Sequence, residues 1–299
     1  MPGAITQGML WGIMAIGVYL TYRILNVSDL TVDGSLATGG AVCVVLMRMG
    51  VDPWIALLCA FLAGMLAGLA TGLLHTRCGI PAILSGILTQ LALYSINLRI
   101  QGDKANQPIS VDKYDLLVSQ RYVTNLSLEN PMPLVILILA VLIGVLYWFF
   151  GTEYGSALRA TGANPNMARA QGIDTRIAIT VGLMVSNGLV ALSGGLLAQY
   201  QGAADVNMGR GAIVIGLAAV IVGEVLLDKG FRNFALKLAS VAIGAVIYYV
   251  VIQVVLQLGL NTNDLKLITA LIVAAFLAVP YWKGLRAPKK TRVGGNGHA

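Results

Sequence analysis

The stretch Glu153–Asp174 reads EYGSALRATGANPNMARAQGID and lies between two long apolar segments of the chain. It is polar and rich in small residues, whereas the sequence on both sides is mostly hydrophobic. Its Ala and Gly residues would let a short helix present a flat face, and Arg159, Arg169 and Arg176 add a basic flank. We call residues 153–174 the island, and we expect a soluble partner to dock here and drive a membrane pore.

The composition of the chain is that of a membrane protein. Hydrophobic residues make up 57% of its 299 residues and charged residues only 11%, with a mean hydropathy of +0.80. Because soluble domains carry about a quarter charged residues, this chain could hardly cover a water-facing surface. The 35 glycines suit membrane helices that pack closely. The sequence therefore predicts an all-α fold, a polytopic helical bundle in the membrane.

The apolar segments predict about eight to ten spanning or re-entrant helices. They lie at residues 7–25, 36–50, 53–75, 79–98, 131–150, 178–199, 211–228, 234–258 and 264–283. The segments 36–50 and 211–228 are short and contain glycine, so we interpret each as a broken or re-entrant helix. A pair of interrupted segments, one in each half of the chain, indicates a substrate path.

The placement of lysine and arginine orients this bundle, since cytoplasmic loops carry an excess of both. A cytoplasmic island puts most of the cations on the same side, including the dense basic run from Lys283 to Arg292. In a bacterium the membrane would be the inner membrane, and the island would lie on its cytoplasmic side. The predicted parts are one transmembrane domain over 1–286, a coupling region at about 151–177, an outside loop at about 101–130, and a basic, disordered cytoplasmic tail at 287–299. The outside loop is either a docking surface or a passive solvated loop.

The motifs of the common enzyme classes are missing from the sequence. It has no HExxH, GxSxG or GxxxxGK[ST] motif, so an ATP-driven pump would need its ATPase on another chain. Cys43, Cys59 and Cys78 form no CxxC pair, and His75 with Cys78 gives only two ligands, so no metal site is expected. The net charge of +7 lies in connectors and tail rather than along one amphipathic face, which argues against nucleic-acid binding.

Two carboxylates lie just before the short segment 36–50. Asp29 and Asp33 are so close to apolar sequence that each should pair with another polar group or line a substrate path. Asp33 or Ser35 could instead cap the helix that follows, and capping is the interpretation we favour.

Polar residues within the apolar segments predict a mildly polar bundle interior. The possible translocation path comprises Asp33, Ser35, Thr89, Gln90, Asn97, Asn187 and Glu224. Any one of them is more often a helix–helix hydrogen bond than a substrate contact, and Glu224 could equally pair with Lys229 or Arg232. The uncharged polar residues within the segments form a set without fixed charge, which suits an uncharged or zwitterionic solute better than a proton relay or an ion filter. They are Thr89, Gln90, Ser95, Asn97, Ser186, Asn187, Ser193, Gln199 and Gln253.

Several stretches resemble the permease subunits of ABC importers of the branched-chain amino acid and ribose type. They are Asp29–Ser35 (DLTVDGS), Leu158–Asn164 (LRATGAN) followed by Gly172 and Ile173, and Gly216–Glu224 (GLAAVIVGE). Ser85–Arg99 (SGILTQLALYSINLR) is similar to a bacterial subgroup associated with tryptophan and tyrosine uptake. The likeness extends over residues 7–283, although the chain lacks the cytoplasmic N-terminal extension of ribose-type members.

The resemblance implies a homodimeric permease in membrane lipid, working with cytoplasmic ABC ATPase subunits and an extracytoplasmic solute-binding protein. The island would carry a cytoplasmic coupling helix that seats in a cleft of each ATPase. The residues assigned to coupling by position are Gly155, Arg159, Ala160, Gly162, Asn164, Ala168 and Gly172. The chain itself would be no enzyme and bind no cofactor, with ATP and Mg held by the partner subunits.

The implied function is import of a small solute, an aromatic or other amino acid, delivered by the binding protein. The alternatives are a permease for a nucleoside, sugar or vitamin in the same family, or a standalone channel or facilitator. A standalone channel would pass solute without a partner, and its island would be a simple loop.

Overall fold

The computed structural model describes residues 2–110, 113–114, 116–122, 131–227 and 233–257, with positions 267, 269–271, 273–275 and 278. The predicted tail at 287–299 and most of the segment 264–283 lie outside these residues. The helices are α1 (Pro2–Tyr19), continued by a π-helical turn (Leu20–Ile24), α2 (Val32–Arg48), α3 (Pro53–Thr76), α4 (Ala82–Ile100), α5 (Pro131–Gly151), α6 (Glu153–Ala163), α7 (Pro165–Ala170), α8 (Thr175–Gln201), α9 (Ala212–Leu227) and α10 (Phe234–Gln257). Two short strands, β1 (Asn106–Pro108) and β2 (Ala203–Asp205), and a 3-10 turn (Gln120–Tyr122) complete the elements.

Each predicted apolar segment that lies within the described residues forms a helix, which confirms the polytopic all-α fold. Among these residues, six helices are long and apolar enough to cross a membrane. The helices α2 and α9, with 17 and 16 residues, are shorter. At about 1.5 Å per residue they extend about 25 Å, less than the hydrocarbon core of about 30 Å. They correspond to the two segments that the sequence marks as broken or re-entrant.

Helix α8 lies at the centre of the bundle and packs against α1, α2 and α3. Glycines at these crossings let the backbones approach closely. A Cβ at Gly194 would overlap the backbone of Leu36, and a Cβ at Gly64 would overlap the backbone of Asn187. Small residues at helix crossings are typical of membrane bundles, where close backbone contact contributes much of the packing energy.

The chain between α1 and α2 is irregular, with exposed residues such as Asn26 and Ser28 alternating with buried ones. The π-helical turn ends α1, and Asn26 then adopts the left-handed conformation with φ 54°. The amide of Val27 donates to the carbonyl of Thr21 over 3.0 Å. This break carries Asp29 into the bundle, where only 3% of the residue is exposed.

The two short strands join the predicted outside loop to the end of α8. Gln107 in β1 pairs with Ala204 in β2 in antiparallel register, and the amide of Ile109 donates to the carbonyl of Gly202 over 2.8 Å. Gly202 ends α8 with φ 73°, a conformation that glycine adopts without strain. The strand pair therefore positions residues 206–211, which lead from β2 into α9.

Candidate functional site

The N-termini of the two short helices meet at the carboxylate of Asp33. Asp33 lies in the first turn of α2, and its two oxygens accept hydrogen bonds from the backbone N–H groups of Gly211 (2.9 Å) and Ile213 (3.0 Å). These groups belong to the start of α9, where N–H groups have no acceptor within the helix. Gly209 allows the approach, because a Cβ there would overlap the carbonyl of Asp33.

The expectation that Asp33 or Ser35 caps the helix that follows was wrong. The N-cap of α2 is Thr31, whose side chain makes no capping hydrogen bond. Asp33 caps α9 instead, since it is already within α2 and points across to the other half of the chain. The hydroxyl of Ser35 donates to the side-chain oxygen of Asn187 over 2.6 Å.

A cavity of about 340 Å³ lies beside this helix junction. We call it the junction cavity. Its lining residues are Asp33, Gly34 and Ala37 of α2, Gln90, Leu91, Tyr94 and Asn97 of α4, and Val206 and Arg210 of the segment before α9. The lining thus includes one carboxylate, one guanidinium, two amides and a tyrosine ring. Leu91 and Tyr94 are exposed in the single chain, so the cavity is open along α4.

Two polar side chains of the junction cavity have unused hydrogen-bonding groups. Asn97 is only 1% exposed, yet neither its amide nitrogen nor its oxygen has a partner among the described residues. Within the same residues, the guanidinium of Arg210 has neither an ion pair nor a side-chain hydrogen bond. Gln90, Tyr94 and Asn97 are spaced i, i+4, i+7 and therefore share one face of α4.

A second polar group, fully inside the bundle, surrounds Asp29. One carboxylate oxygen of Asp29 accepts from the amide of Thr31 (2.8 Å) and the other from the side-chain nitrogen of Asn187 (2.6 Å). The hydroxyl of Thr31 lies 2.7 Å from that of Thr71, which in turn donates to Thr89 over 2.9 Å. This Asp29 network joins the chain break to α3, α4 and α8, and every member is buried.

Glu224 lies away from both groups, near the end of α9. Its carboxylate forms a bidentate ion pair with Arg23 of the π-helical turn, at 2.7 and 2.5 Å. The predicted partners Lys229 and Arg232 lie outside the described residues. The pair is partly exposed, so it contributes little to stability but ties α9 to α1.

The structure divides the predicted translocation path into three places. Asp33, Gln90 and Asn97 line the junction cavity. Ser35, Thr89 and Asn187 belong to buried hydrogen bonds around the Asp29 network, and Glu224 is in the ion pair. The predicted path did not include Tyr94 and Arg210, which also line the junction cavity. The helical spacing of Tyr94 from Gln90 and Asn97 could have indicated that Tyr94 shares their face of α4.

The island forms two short helices, α6 and α7, separated at Asn164. The side chain of Asn164 accepts from the amides of Asn166 and Met167, both over 3.1 Å, and so caps α7. Gly162 packs against the backbone carbonyl of Ile24 at the end of the π-helical turn. The guanidinium of Arg159 donates to the carbonyl of Phe150 over 2.6 Å. Helix α6 is therefore fixed to the ends of α1 and α5.

The residues that the resemblance assigns to coupling divide into exposed and inward-facing ones. Ala160, Asn164 and Gly172 are exposed, as is much of Arg159, whereas Gly155 and Ala168 are buried and Gly162 is half-buried. The exposed surface also carries two large apolar side chains that the sequence did not single out: Tyr154 is 75% and Met167 63% exposed. Exposed apolar side chains beside basic residues are typical of a surface that binds another protein.

The histidine and cysteine positions give no cluster of metal ligands. His75 contacts the carbonyl of Ile80 through Nδ1 over 2.8 Å, while Cys78 is exposed. Among the described residues, no group of three or more His, Cys, Asp or Glu side chains could hold a metal ion.

Known proteins are similar to this chain in sequence and in fold. Residues 1–279 match the sequence profile of the family described as branched-chain amino acid transport system / permease component. The tyrosine transport system permease protein of Clostridioides difficile is 40% identical, over 91% of this chain and 88% of that protein. The D-allose transport system permease protein of Escherichia coli is 26% identical, over 73% and 65%.

A solved structure supports the fold. It is an inward-facing ABC transporter of the metal-chelate type, with TM-score 0.50 and 15% identity, covering 94% of this chain and 85% of that one. With six helices long enough to span among the described residues, these findings describe a multi-pass membrane protein, in bacteria one of the inner membrane. The resemblance seen in the sequence is confirmed: the chain belongs to the branched-chain amino acid transport system permease family, the membrane permeases of ABC transporters.

Proposed function

We propose that this chain is the homodimeric permease of an ATP-driven importer for an aromatic amino acid, delivered by an extracytoplasmic binding protein. The observation that carries the proposal is the 40% identity, over nine-tenths of the chain, to a permease named for tyrosine transport. The relatives named for D-allose, galactofuranose and fructose are 24–28% identical. The proposed solute is therefore an amino acid rather than a sugar, nucleoside or vitamin.

The energy for this transport comes from partner chains. The sequence has no phosphate-binding loop, so ATP and Mg bind to separate ATPase subunits. The island is the proposed docking surface, because Tyr154 and Met167 are exposed there while α6 is held against the transmembrane helices at Gly162. A rigidly mounted surface helix can transmit the movement of an ATPase to the bundle.

Reconstitution tests the function directly. The permease is placed in liposomes together with its ATPase and its binding protein. Uptake of tritiated L-tyrosine is then measured with and without ATP. We expect ATP-dependent uptake of L-tyrosine or L-tryptophan and none of D-allose or uridine. Uptake without ATP would instead identify a facilitator, and uptake of D-allose alone would identify a sugar permease.

Copurification tests the docking surface. Replacing both Tyr154 and Met167 with serine removes the exposed apolar contacts, so the ATPase should no longer copurify with the permease. The matched control is Tyr147→Ser, because Tyr147 is also exposed (54%) but lies within α5. If the ATPase still copurifies with the double variant as it does with the control, the island is not the docking surface.

A further inference from the structure

We propose that the junction cavity is a binding site for one zwitterionic amino acid during transport, with Arg210 holding its carboxylate and Asp33 its ammonium group. The proposal rests on the proposed function and names the place in the bundle where the solute is held. At about 340 Å³ the cavity is at the lower end of the range for small-molecule sites, enough for a single small solute.

The two charged residues of the junction cavity, Asp33 and Arg210, have no oppositely charged partner among the described residues. Asp33 accepts hydrogen bonds only from neutral backbone groups of α9, and it forms no ion pair among the described residues. Arg210 likewise has no acidic partner within that part of the chain. Asp33 is half-buried at the start of α2 and Arg210 is exposed in the segment before α9, so both charges face the cavity without an opposite charge on the protein among these residues. An amino acid carries the complementary two charges on adjacent groups, so it would pair both residues at once.

The side-chain amide of Asn97, which has no hydrogen-bond partner among the described residues, also indicates a polar ligand. A buried polar group without a partner is destabilising, so such groups are rare in folded proteins and need a reason. Asn97 lines the cavity on the same face of α4 as Gln90. A polar ligand in the cavity would supply a donor and an acceptor to this amide. Asp33 and Asn97, on α2 and α4, thus reach the cavity from different helices.

The same lining selects among classes of solute. A sugar would leave both charges unpaired, and an anion or a cation alone would leave one of them unpaired beside a like charge. Apart from the amide of Gln90, the remaining lining is apolar or aromatic, including Ala37, Leu91 and the ring of Tyr94. This surface suits an amino acid with an apolar or aromatic side chain, for which an aromatic ring offers favourable stacking.

Direct binding tests the site. The permease–ATPase complex, without the binding protein, is placed in nanodiscs, and binding of tritiated L-tyrosine is measured by scintillation proximity. Arg210→Met should weaken binding about 10- to 100-fold, the loss expected for a hydrogen-bonded charge pair. Asn97→Leu should weaken it about 10-fold. Arg99→Met is the matched control, because Arg99 is an exposed cation of α4 that does not line the cavity.

Competition identifies the groups of the solute that are bound. Tyramine lacks the carboxylate and 3-(4-hydroxyphenyl)propionate lacks the ammonium group, so both should compete at least about 10-fold less well than L-phenylalanine. Equal binding by Arg210→Met and Arg99→Met, or equal competition by tyramine and L-phenylalanine, would overturn the site. Wild-type protein that imports L-tyrosine but binds none in this assay would overturn the site and leave the proposed function intact. Absence of any amino-acid uptake would overturn both.

Discussion

Replacing Asn187 with leucine should destabilise the bundle strongly, although leucine has the same number and branching of side-chain heavy atoms. The side chain of Asn187 donates to Asp29 (2.6 Å) and to the carbonyl of Leu183 (3.0 Å), and it accepts from Ser35 (2.6 Å). Leucine would leave the buried carboxylate and the buried hydroxyl each without one partner. A lost hydrogen bond to a charged group costs about 1.5–3 kcal/mol and a neutral one about 1–3, so we expect roughly 3–5 kcal/mol in all.

A thiol-reactive fluorogenic dye can measure this loss, because Cys43 is fully buried beside α8. In a background with Cys59→Ser and Cys78→Ser, the dye reacts only when the bundle opens. At about 2–4 °C per kcal/mol for chains of 150–250 residues, Asn187→Leu should lower the apparent Tm by roughly 10 °C. The control is Gln201→Leu, which removes an exposed amide at the end of α8 and should shift the apparent Tm by less than about 2 °C.

Exchanging the two partners tests whether the pairing itself is responsible. Asn187→Asp alone would put two carboxylates in contact, which is more destabilising than the loss of one donor. Adding Asp29→Asn restores a donor opposite an acceptor and should recover at least half of the lost apparent Tm. If the double variant unfolds no later than Asn187→Asp alone, the stabilisation does not come from this hydrogen bond and the reasoning fails.

Three further substitutions test the packing of the chain. Gly162→Val should reduce ATP-driven uptake at least about 10-fold, because its Cβ would overlap the backbone of the π-helical turn, while Gly144→Val in α5, outside the island, should not. Glu224→Gln breaks a partly exposed ion pair, so the apparent Tm should fall by less than about 3 °C, and the difference should shrink in 0.5 M salt. Gly194→Val forces a side chain into the backbone of α2 and should abolish a monodisperse peak in size-exclusion chromatography, whereas Gly144→Val, with open space around its Cβ, should elute normally.

The helices of this chain could be predicted because the signal for a membrane span is local. A long run of apolar residues is sufficient, and the predicted segments differ from the helices mainly at their ends. Those ends depend on caps: α8 begins at Thr175, since the side chain of Asp174 accepts from the amides of Arg176 and Ile177. The division of the island at Asn164 follows from a cap and a following proline, which the composition of small residues alone did not reveal.

The site could be predicted only in part, because its residues converge through tertiary structure. The short segment 211–228 marked the start of α9 to within one residue, whereas 36–50 began four residues after the start of α2; Asp33 was found from its place just before that segment. The contribution of Arg210 depends on the strand pair that directs residues 206–211 back towards α2, and no local pattern shows that turn. The partner of Glu224 was missed for the same reason, since Arg23 lies 201 residues away in sequence.

The proposed docking surface and the proposed amino-acid site are joined by a short length of chain. Gly162 of α6 packs on Ile24, and Asp33 of the junction cavity follows nine residues later in sequence. The residues between them form the irregular break, which the rest of the bundle holds at Asp29. A regular helix would resist changes in length, whereas an irregular segment held at Asp29 and Thr31 can shift before these residues as the π-helical turn moves. An ATPase that displaced α6 would therefore act on the start of α2, and through the Asp33 cap on the start of α9, where the solute is proposed to bind.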